Sequence, residues 1–445
     1  MSSKGNNQYN VKYVAAVSFI SALGGYLFGF DFAVISGALP FLKTQFNLNE
    51  YWEGFATGCL ALGAISGCII AGNTADKYGR RPALLLSAAI FGISSLGMAL
   101  APARELFIVA RFAAGIGVGM ASMLSPMYIA EIAPAQVRGR MVAINQLTIV
   151  LGILITNLVN YSLRNAGDNA WRWMFGLGLV PSLLFFSGVL WLPESPRWLL
   201  KNNAVEKAKK ILQKIGGVSF VNETVNHITA GDGGTKINYR AAFEKAVLPA
   251  LSIGIGLAVF QQFCGINVVF NYTAIIFESI GASQNDQLLQ TVFIGGVNVL
   301  FTLLAIALVD KIGRKPLMLM GAAGLAVTYC FIAVMLGNKS ANVSWFLLAA
   351  IGIYASTLAP VTWVLIAEIF PARIRAAATT IAVISLWLAY FILTFSFPVL
   401  YRHFSDKVFF MYAVLCVLGL IFVWLKVKET KGKTLEEMEN VFTGH

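Results

Sequence analysis

Two phrases are each written twice in this chain, at nearly one spacing. D-K-Y-G-R-R-P runs from Asp76 to Pro82, and D-K-I-G-R-K-P runs from Asp310 to Pro316, an offset of 234 residues. I-A-E-I-A-P-A-Q-V-R runs from Ile129 to Arg138, and I-A-E-I-F-P-A-R-I-R runs from Ile366 to Arg375, an offset of 237. Two independent markers at nearly one offset mean that the whole chain is two copies of one unit.

That duplication has to be built in lipid. Of the 445 residues, 58% are hydrophobic and only 12% are charged, against about 25% charged in soluble domains. An apolar parallel duplication is a plan used by secondary transporters, with the site between the halves. The net charge of +12 would suggest nucleic acid in a soluble chain. Here the basic residues gather in a few loops, where they set topology instead, and no nucleic-acid partner is expected. The cysteines (Cys59, Cys68, Cys264, Cys330 and Cys416) lie scattered in apolar stretches and read as small core residues. His227, His403 and His445 fall in loops or at the terminus, so neither a His metal cluster nor a bound metal is expected. The first apolar run, from about Tyr13 to Leu39, is longer than a signal-peptide core and should be retained as a first membrane helix.

At about 20 apolar residues per span, the sequence predicts twelve helices. They cover approximately 13–39, 54–75, 82–101, 106–130, 140–164, 171–192, 246–279, 288–309, 316–337, 344–369, 376–402 and 408–427. The expected fold is all-α and integral to the membrane: two pseudo-symmetric six-helix bundles joined by a cytoplasmic helical linker. The N-terminal bundle is 1–192, the linker 193–245, the C-terminal bundle 246–427 and the cytoplasmic tail 428–445. Val205 to Ile215 has an amphipathic helical pattern, and Gly231 to Gly234 reads as a flexible stretch. Both doubled loops, the Arg138–Arg140 loop, the linker and the Lys426–Lys433 tail are basic. With twelve spans they share one face, which the positive-inside rule makes cytoplasmic together with both termini.

G-I-G-V-G (Gly115 to Gly119) imitates a dinucleotide loop but lies within a span with no strand before it. Small residues there suit close helix packing. There is no H-E-x-x-H, Walker loop or G-x-S-x-G in the chain, so neither an enzyme, nor ATP-driven pumping, nor a cofactor is expected.

Asp31 is the only acidic or basic side chain between Lys12 and Lys43. A carboxylate within a membrane helix costs roughly 2.5–3.5 kcal/mol on insertion scales. Asp31 lies about 27 Å along its helix from Tyr13, and Arg111 about 9 Å in from Glu105 on the antiparallel fourth span. The two charges therefore reach similar depth. Burial favours the neutral acid and an adjacent guanidinium favours the carboxylate, so the pair can work as a proton switch. A static ion pair is the alternative.

The seventh span holds Gln261, Gln262, Asn267 and Asn271 in an otherwise apolar setting broken by Gly265. Paired amide donors and acceptors match the vicinal hydroxyls of a sugar. The alternative is hydrogen bonding between helices. Gln146 in the fifth span and Asn298 in the eighth could face the same cavity. Trp363, after Pro360, and Trp387 lie deep enough in their spans to stack on an apolar sugar face. The doubled loops mix charges: Asp76, Arg80, Arg81, Glu131 and Arg138 in one half, and Asp310, Arg314, Lys315, Glu368 and Arg375 in the other, with Glu194 and Arg197 beside them. They read either as topology-setting charge or as a cytoplasmic latch of ion pairs, made when the protein opens outward and broken when it opens inward.

These residues carry a resemblance. G-G-Y-L-F-G-F-D (Gly24 to Asp31), the doubled D-x-x-G-R-[RK], R-G-R (Arg138 to Arg140), P-E-S-P-R-W-L (Pro193 to Leu199), Q-Q-x-x-G-I-N (Gln261 to Asn267) and E-T-K-G-K-T-L-E-E (Glu429 to Glu437) span nearly the whole chain. The sequence resembles the sugar porter branch of the major facilitator superfamily, and within it the bacterial proton-coupled xylose symporters. The resemblance implies that Gln146, Gln261, Gln262, Asn267 and Trp363 contact a sugar, that Asn298 and Trp387 line its cavity, and that Phe28 is a nearby aromatic. It also implies that Asp31, paired with Arg111, couples the proton. Some positions depart from the family pattern. Asn271 replaces a tyrosine of G-I-N-x-x-x-Y-Y, and Leu386 stands where an amide usually precedes Trp387. Ala359 replaces a glycine before Pro360, which should stiffen a helix expected to bend. Ala376 replaces the glycine of R-x-R-G, and Lys428 the proline of P-E-T.

The expected activity is proton-coupled symport of a monosaccharide, a pentose or a hexose, across the inner (cytoplasmic) membrane by alternating access, carried out by a monomer. The alternatives are a sugar uniporter, a cyclitol symporter, and a non-transporting sugar sensor.

Overall fold

The computed structural model describes residues 9–231, 240–245, 247–370 and 374–431. Its helices are α1 (Val11–Phe46), α2 (Glu50–Tyr78), α3 (Arg80–Ala99), α4 (Arg104–Ile132), α5 (Ala135–Ser162), α6 (Ala170–Gly176) and α7 (Leu179–Trp191) in the first half. Three short helices follow: α8 (Pro196–Lys201), α9 (Val205–Ile215) and α10 (Val218–Gly231). The second half holds α11 (Leu248–Phe263), α12 (Ile266–Ser279), α13 (Gln284–Ile312), α14 (Arg314–Gly337), α15 (Val343–Ser356), α16 (Leu358–Ile369), α17 (Arg375–Phe404) and α18 (Val408–Lys426). Among the described residues, 11 stretches are long and apolar enough to cross a membrane. The last, Ala377–Lys426, is 50 residues long and contains both α17 and α18, parted by the turn Ser405–Lys407. The chain therefore crosses twelve times, as the sequence predicts. Trp191 (86% exposed), Ile93 (73%) and Trp345 (72%) show the outward faces to be apolar, as lipid requires.

Three crossings are interrupted. The sixth breaks between α6 and α7, and the tenth at Thr357 between α15 and α16. The seventh breaks at Gly265, whose φ of +85° is a left-handed conformation that glycine adopts without penalty. The break in the tenth span falls two residues before Ala359, the residue expected to stiffen it. Cys330 is also a correction: it is exposed on α14, while Cys59, Cys68, Cys264 and Cys416 are buried.

Helix ends follow local chemistry. Asn49 caps α2 by accepting from the Trp52 N–H at 3.0 Å, and Ser283 caps α13 through the Asp286 N–H. The linker helices pack through Leu199, Leu200 and Ala208 beside Trp198. The Trp198 indole donates to the Asp76 carbonyl at 3.0 Å, tying the linker to the first doubled loop. Gly231 starts the expected flexible stretch, and its other residues, 232–234, lie outside the described residues, as do 1–8 and 432–445.

The two halves meet chiefly through α2 against α17, α5 against α13, and α1 against α12. These contacts lie on the face away from the doubled loops. There Phe55 meets Phe391 and Phe395 edge to face, Asn157 donates to the Thr291 carbonyl at 2.7 Å, and Arg402 meets Glu50 at 2.6 Å.

Candidate functional site

Asp31 sits on α1 and Arg111 on α4. The structure brings them together at 3.5 Å, with side chains 1% and 0% exposed. Neither carboxylate oxygen and none of the three guanidinium nitrogens makes a hydrogen bond. A charge-assisted bond is normally about 2.7–2.9 Å, so this is a loose contact between two buried charges. Arg111 also lies 5.7 Å from the centre of the Phe175 ring. Breaking a buried pair by removing one partner is strongly unfavourable, because it strands the other charge. The pair can therefore change state if the carboxylate is neutralised while the guanidinium finds other contacts.

The amides of the seventh crossing gather around its break. Gln261, Gln262, Asn267 and Asn271 are 2%, 5%, 6% and 0% exposed. The Asn267 amide donates to the Gln262 carbonyl oxygen across the Gly265 turn. Gln262 reaches Gln261 at 3.4 Å, and Gln261 donates to the Ala359 carbonyl at 3.3 Å. That last bond links α11 to α16 beside the break in the tenth crossing. Asn271 donates to the Tyr390 hydroxyl at 2.8 Å. These contacts also match the helix-to-helix alternative, yet the Asn271 carbonyl oxygen is buried with no partner. Buried polar groups without partners are uncommon.

Aromatic rings border this cluster. Phe28 on α1 and Trp387 on α17 lie 5.7 Å apart, and Trp387 lies 5.8 Å from Tyr390. Phe32 bridges the halves, 5.5 Å from Phe270 and 6.0 Å from Tyr390. Trp387 is 5% exposed and Asn298 5%, whereas Trp363 is 43% exposed. Gln146 on α5 is half-buried. Among the described residues, no hydrogen bond joins Gln146 or Asn298 to the amide cluster. Leu386 is buried.

At the doubled loops the two halves repeat one construction. Gly79 ends α2 and starts α3 at φ +105°, and Gly313 links α13 to α14 at φ +107°. Beyond Gly79, the backbone N–H groups of Arg80 and Arg81 donate to the Glu194 carboxylate. Beyond Gly313, those of Arg314 and Lys315 donate to Glu429, each at 3.0 Å. The next residue is proline in both copies, which has no N–H to satisfy. A carboxylate thus caps the positive end of each helix. Arg80 holds Glu131 at 3.0 Å and Asp76 at 3.3 Å, and Arg314 holds Glu368 at 3.2 Å. Arg81 donates to the Leu190 carbonyl at the end of α7, and Lys315 to the Trp424 carbonyl near the end of α18.

The other expected latch residues behave differently. Arg375 donates to the Phe370 carbonyl at 3.1 Å, not to a carboxylate in any described contact. Arg138 and Arg197 are exposed. The side chain of Asp310 lies outside the described residues, as does that of Ala376. Every ion pair described on this face lies within one half.

Sequence reasoning named Glu194 and missed Glu429. The signal was present: 194 and 429 differ by 235, between the 234 and 237 of the doubled phrases. It also missed Tyr390, for which the departure at Asn271 was the one clue.

Burial pushes the Glu194 carboxyl above its ordinary value, although the N–H groups of Ser195, Arg80 and Arg81 pull the other way. Burial also pushes Glu429 up, but four backbone N–H donors, from Lys431, Arg314, Lys315 and Thr430, outweigh it and hold that carboxyl below its ordinary value.

Comparison with known proteins places this geometry. Residues 17–442 match the family "Sugar (and other) transporter". The D-xylose-proton symporter of Escherichia coli is 39% identical over 476 residues, covering 98% of this chain and 96% of that protein. A glucose transport protein of Synechocystis is also 39% identical, covering 98% and 99%. The arabinose-proton symporter of Bacillus subtilis is 36% identical, covering 98% and 96%. Among solved structures, the xylose transporter XylE of E. coli in a partially occluded inward-open conformation matches with a TM-score of 0.86 at 36% identity, over 95% of this chain and 100% of that one. XylE bound to 6-bromo-6-deoxy-D-glucose matches at 0.82 and 37% identity, over 98% and 100%. The chain is a multi-pass membrane protein of the major facilitator fold, and it belongs to the sugar transporter family.

Proposed function

We propose that this protein carries a monosaccharide and a proton together across the cytoplasmic membrane by alternating access. The observation that carries the reading is the Asp31–Arg111 pair, fully buried and short of hydrogen bonds, with Asp31 on the same crossing as Phe28 and Phe32, which border the amide cluster. Relatives named for xylose, arabinose and glucose support a pentose or hexose as cargo. Gln146, Gln261, Gln262, Asn267, Asn271 and Asn298 supply hydrogen bonds to its hydroxyls. Phe28, Trp363 and Trp387 face its apolar side.

The bundles are residues 1–192 and 246–427, joined by the linker 193–245 and followed by the tail 428–445. The basic face with the doubled loops is cytoplasmic, as are both termini. The halves meet on the outer side, so the arrangement is inward-facing. When the carrier turns outward, Asp76, Arg80, Arg81, Glu131, Arg138, Glu194 and Arg197 come against Asp310, Arg314, Glu368 and Arg375 and close the inner side. Asp31 then takes a proton, Arg111 is released, sugar binds and the halves rock back. One chain holds both halves of the site, so the working unit is a monomer. The membrane potential supplies about 2.3 kcal/mol per charge per 100 mV, enough for roughly 50-fold accumulation.

The test is sugar uptake in proteoliposomes with and without an imposed proton gradient. Asp31→Asn is expected to abolish accumulation while keeping exchange of labelled for unlabelled sugar. Equal accumulation by the unaltered protein without any gradient would refute symport and leave uniport. A competition panel of xylose, glucose, galactose, fructose and inositol identifies the cargo, and binding of inositol alone would mean a cyclitol symporter.

A further inference from the structure

Asn271 stands where the family run has a tyrosine, and the structure puts a phenol beside it from another helix. Tyr390 on α17 accepts the Asn271 amide N–H at 2.8 Å. Both residues are buried, at 0% and 2% exposure. Tyr272, the next residue, has φ −117° and ψ 16°, a kink within α12, and its hydroxyl donates to the Thr394 carbonyl at 2.7 Å. Two hydrogen bonds therefore hold the kinked part of α12 against α17.

We propose that Tyr390 determines the sugar specificity of this carrier: Asn271 and Tyr390 form one unit, in which α17 supplies the phenol that the family run places on α12. The inference rests on the sugar reading above. Three observations converge on it. The Asn271 carbonyl oxygen is buried without a partner, so it remains free to accept from a ligand hydroxyl. The Tyr390 hydroxyl uses a lone pair on Asn271 and also lies against the Thr394 side chain, so a ligand hydroxyl takes its proton by replacing that neighbour. The Tyr390 ring is set between Trp387 at 5.8 Å and Phe32 at 6.0 Å, the latter being the residue that follows Asp31. A sugar with a hydroxyl at this point completes the pair. A sugar without one leaves buried polar atoms bare, which disfavours it.

Tyr390 is thus a binding residue that also positions Asn271, and its test separates those roles from simple packing. Uptake of the preferred sugar and of its single-position deoxy analogues is measured in proteoliposomes for the unaltered chain, Tyr390→Phe, Asn271→Tyr, Tyr390→Asn and the transposed double variant Asn271→Tyr/Tyr390→Asn. The unaltered chain should disfavour one analogue by about tenfold in kcat/KM, and Tyr390→Phe should erase that preference while leaving the other analogues unchanged. Each single exchange at the pair should raise KM about tenfold, and the transposed double should recover most of the loss. A Tyr390→Phe protein that transports every sugar equally less well, or a double variant no better than its worse parent, would overturn the proposal. If Tyr390→Phe does not yield folded protein, the transposed double decides by the same measure. If the unaltered chain transports no sugar, the sugar reading falls and this inference with it. If it transports sugar and Tyr390→Phe is silent, this inference alone falls.

Discussion

Gly79 and Gly313 show how much a single position can fix. At φ +105° and +107° a side chain is strained before any contact is counted, by roughly 1–3 kcal/mol. A Cβ on Gly79 would also sit 2.2 Å from a Glu194 oxygen, and one on Gly313 2.8 Å from a Glu429 oxygen. Gly79→Ala should therefore cost more than Gly313→Ala in a melting experiment in detergent, and the reverse order would mean that the contact does not matter. The two capping carboxylates differ in their pH response. Glu429 is held below its ordinary value of 4.5, so its contribution is present above that value and is lost as pH falls through the folded one. Glu194 is raised above 4.5, so its ionised form is penalised at neutral pH and the penalty fades on acidification. Glu429→Gln should flatten the loss of thermal stability as pH falls below 4.5. An unchanged slope would show that the second cap carries no pH dependence. At this scale the duplication was legible enough to yield Glu429 by offset alone. Tyr390 was not, since a hydrogen bond between residues 119 apart leaves no periodic trace.

At the scale of the element, the sequence announced the break in the seventh crossing through Gly265 but gave no sign of the one in the tenth. Ala359 was expected to stiffen it. The bend instead falls at Thr357, with φ −128° and ψ −84°, against the neighbouring α14. A Cβ on Gly321 of α14 would lie 2.3 Å from the Thr357 hydroxyl and 2.1 Å from a Leu358 methyl. The bend is thus made by close packing of α14 on α15 and α16, a tertiary cause that no local pattern reports. Gly321→Val should push α14 off this bend and slow transport while leaving α3, its counterpart in the other half, undisturbed. Uptake rates matching the unaltered chain would place the cause of the bend within the tenth crossing itself.

For the whole molecule, the number of crossings and the twofold plan were readable because lipid imposes a length on every apolar run and because the duplication repeats its loops. The arrangement of one half against the other was not readable, since the same sequence must adopt more than one. Two kinds of contact hold the observed arrangement on the face away from the doubled loops, and their magnitudes differ. The Glu50–Arg402 pair is short, at 2.6 Å, but its side chains are 30% and 66% exposed, and exposed pairs contribute only about 0–1 kcal/mol. Packing is far stricter: a Cβ on Gly54 of α2 would lie 2.2 Å from the Phe395 carbonyl oxygen of α17, so any side chain there forces the helices apart. Arg402→Ala should therefore leave uptake within about threefold of normal. Gly54→Leu should shift the population toward carriers open on this face. The shift can be read with a cysteine in place of Phe391, which lies against Phe55, and a thiol reagent that cannot cross the membrane. Faster labelling from this face in the Gly54→Leu background, with Arg402→Ala unchanged, is the expected result. If Arg402→Ala opens the face and Gly54→Leu does not, charge rather than close packing holds the halves together.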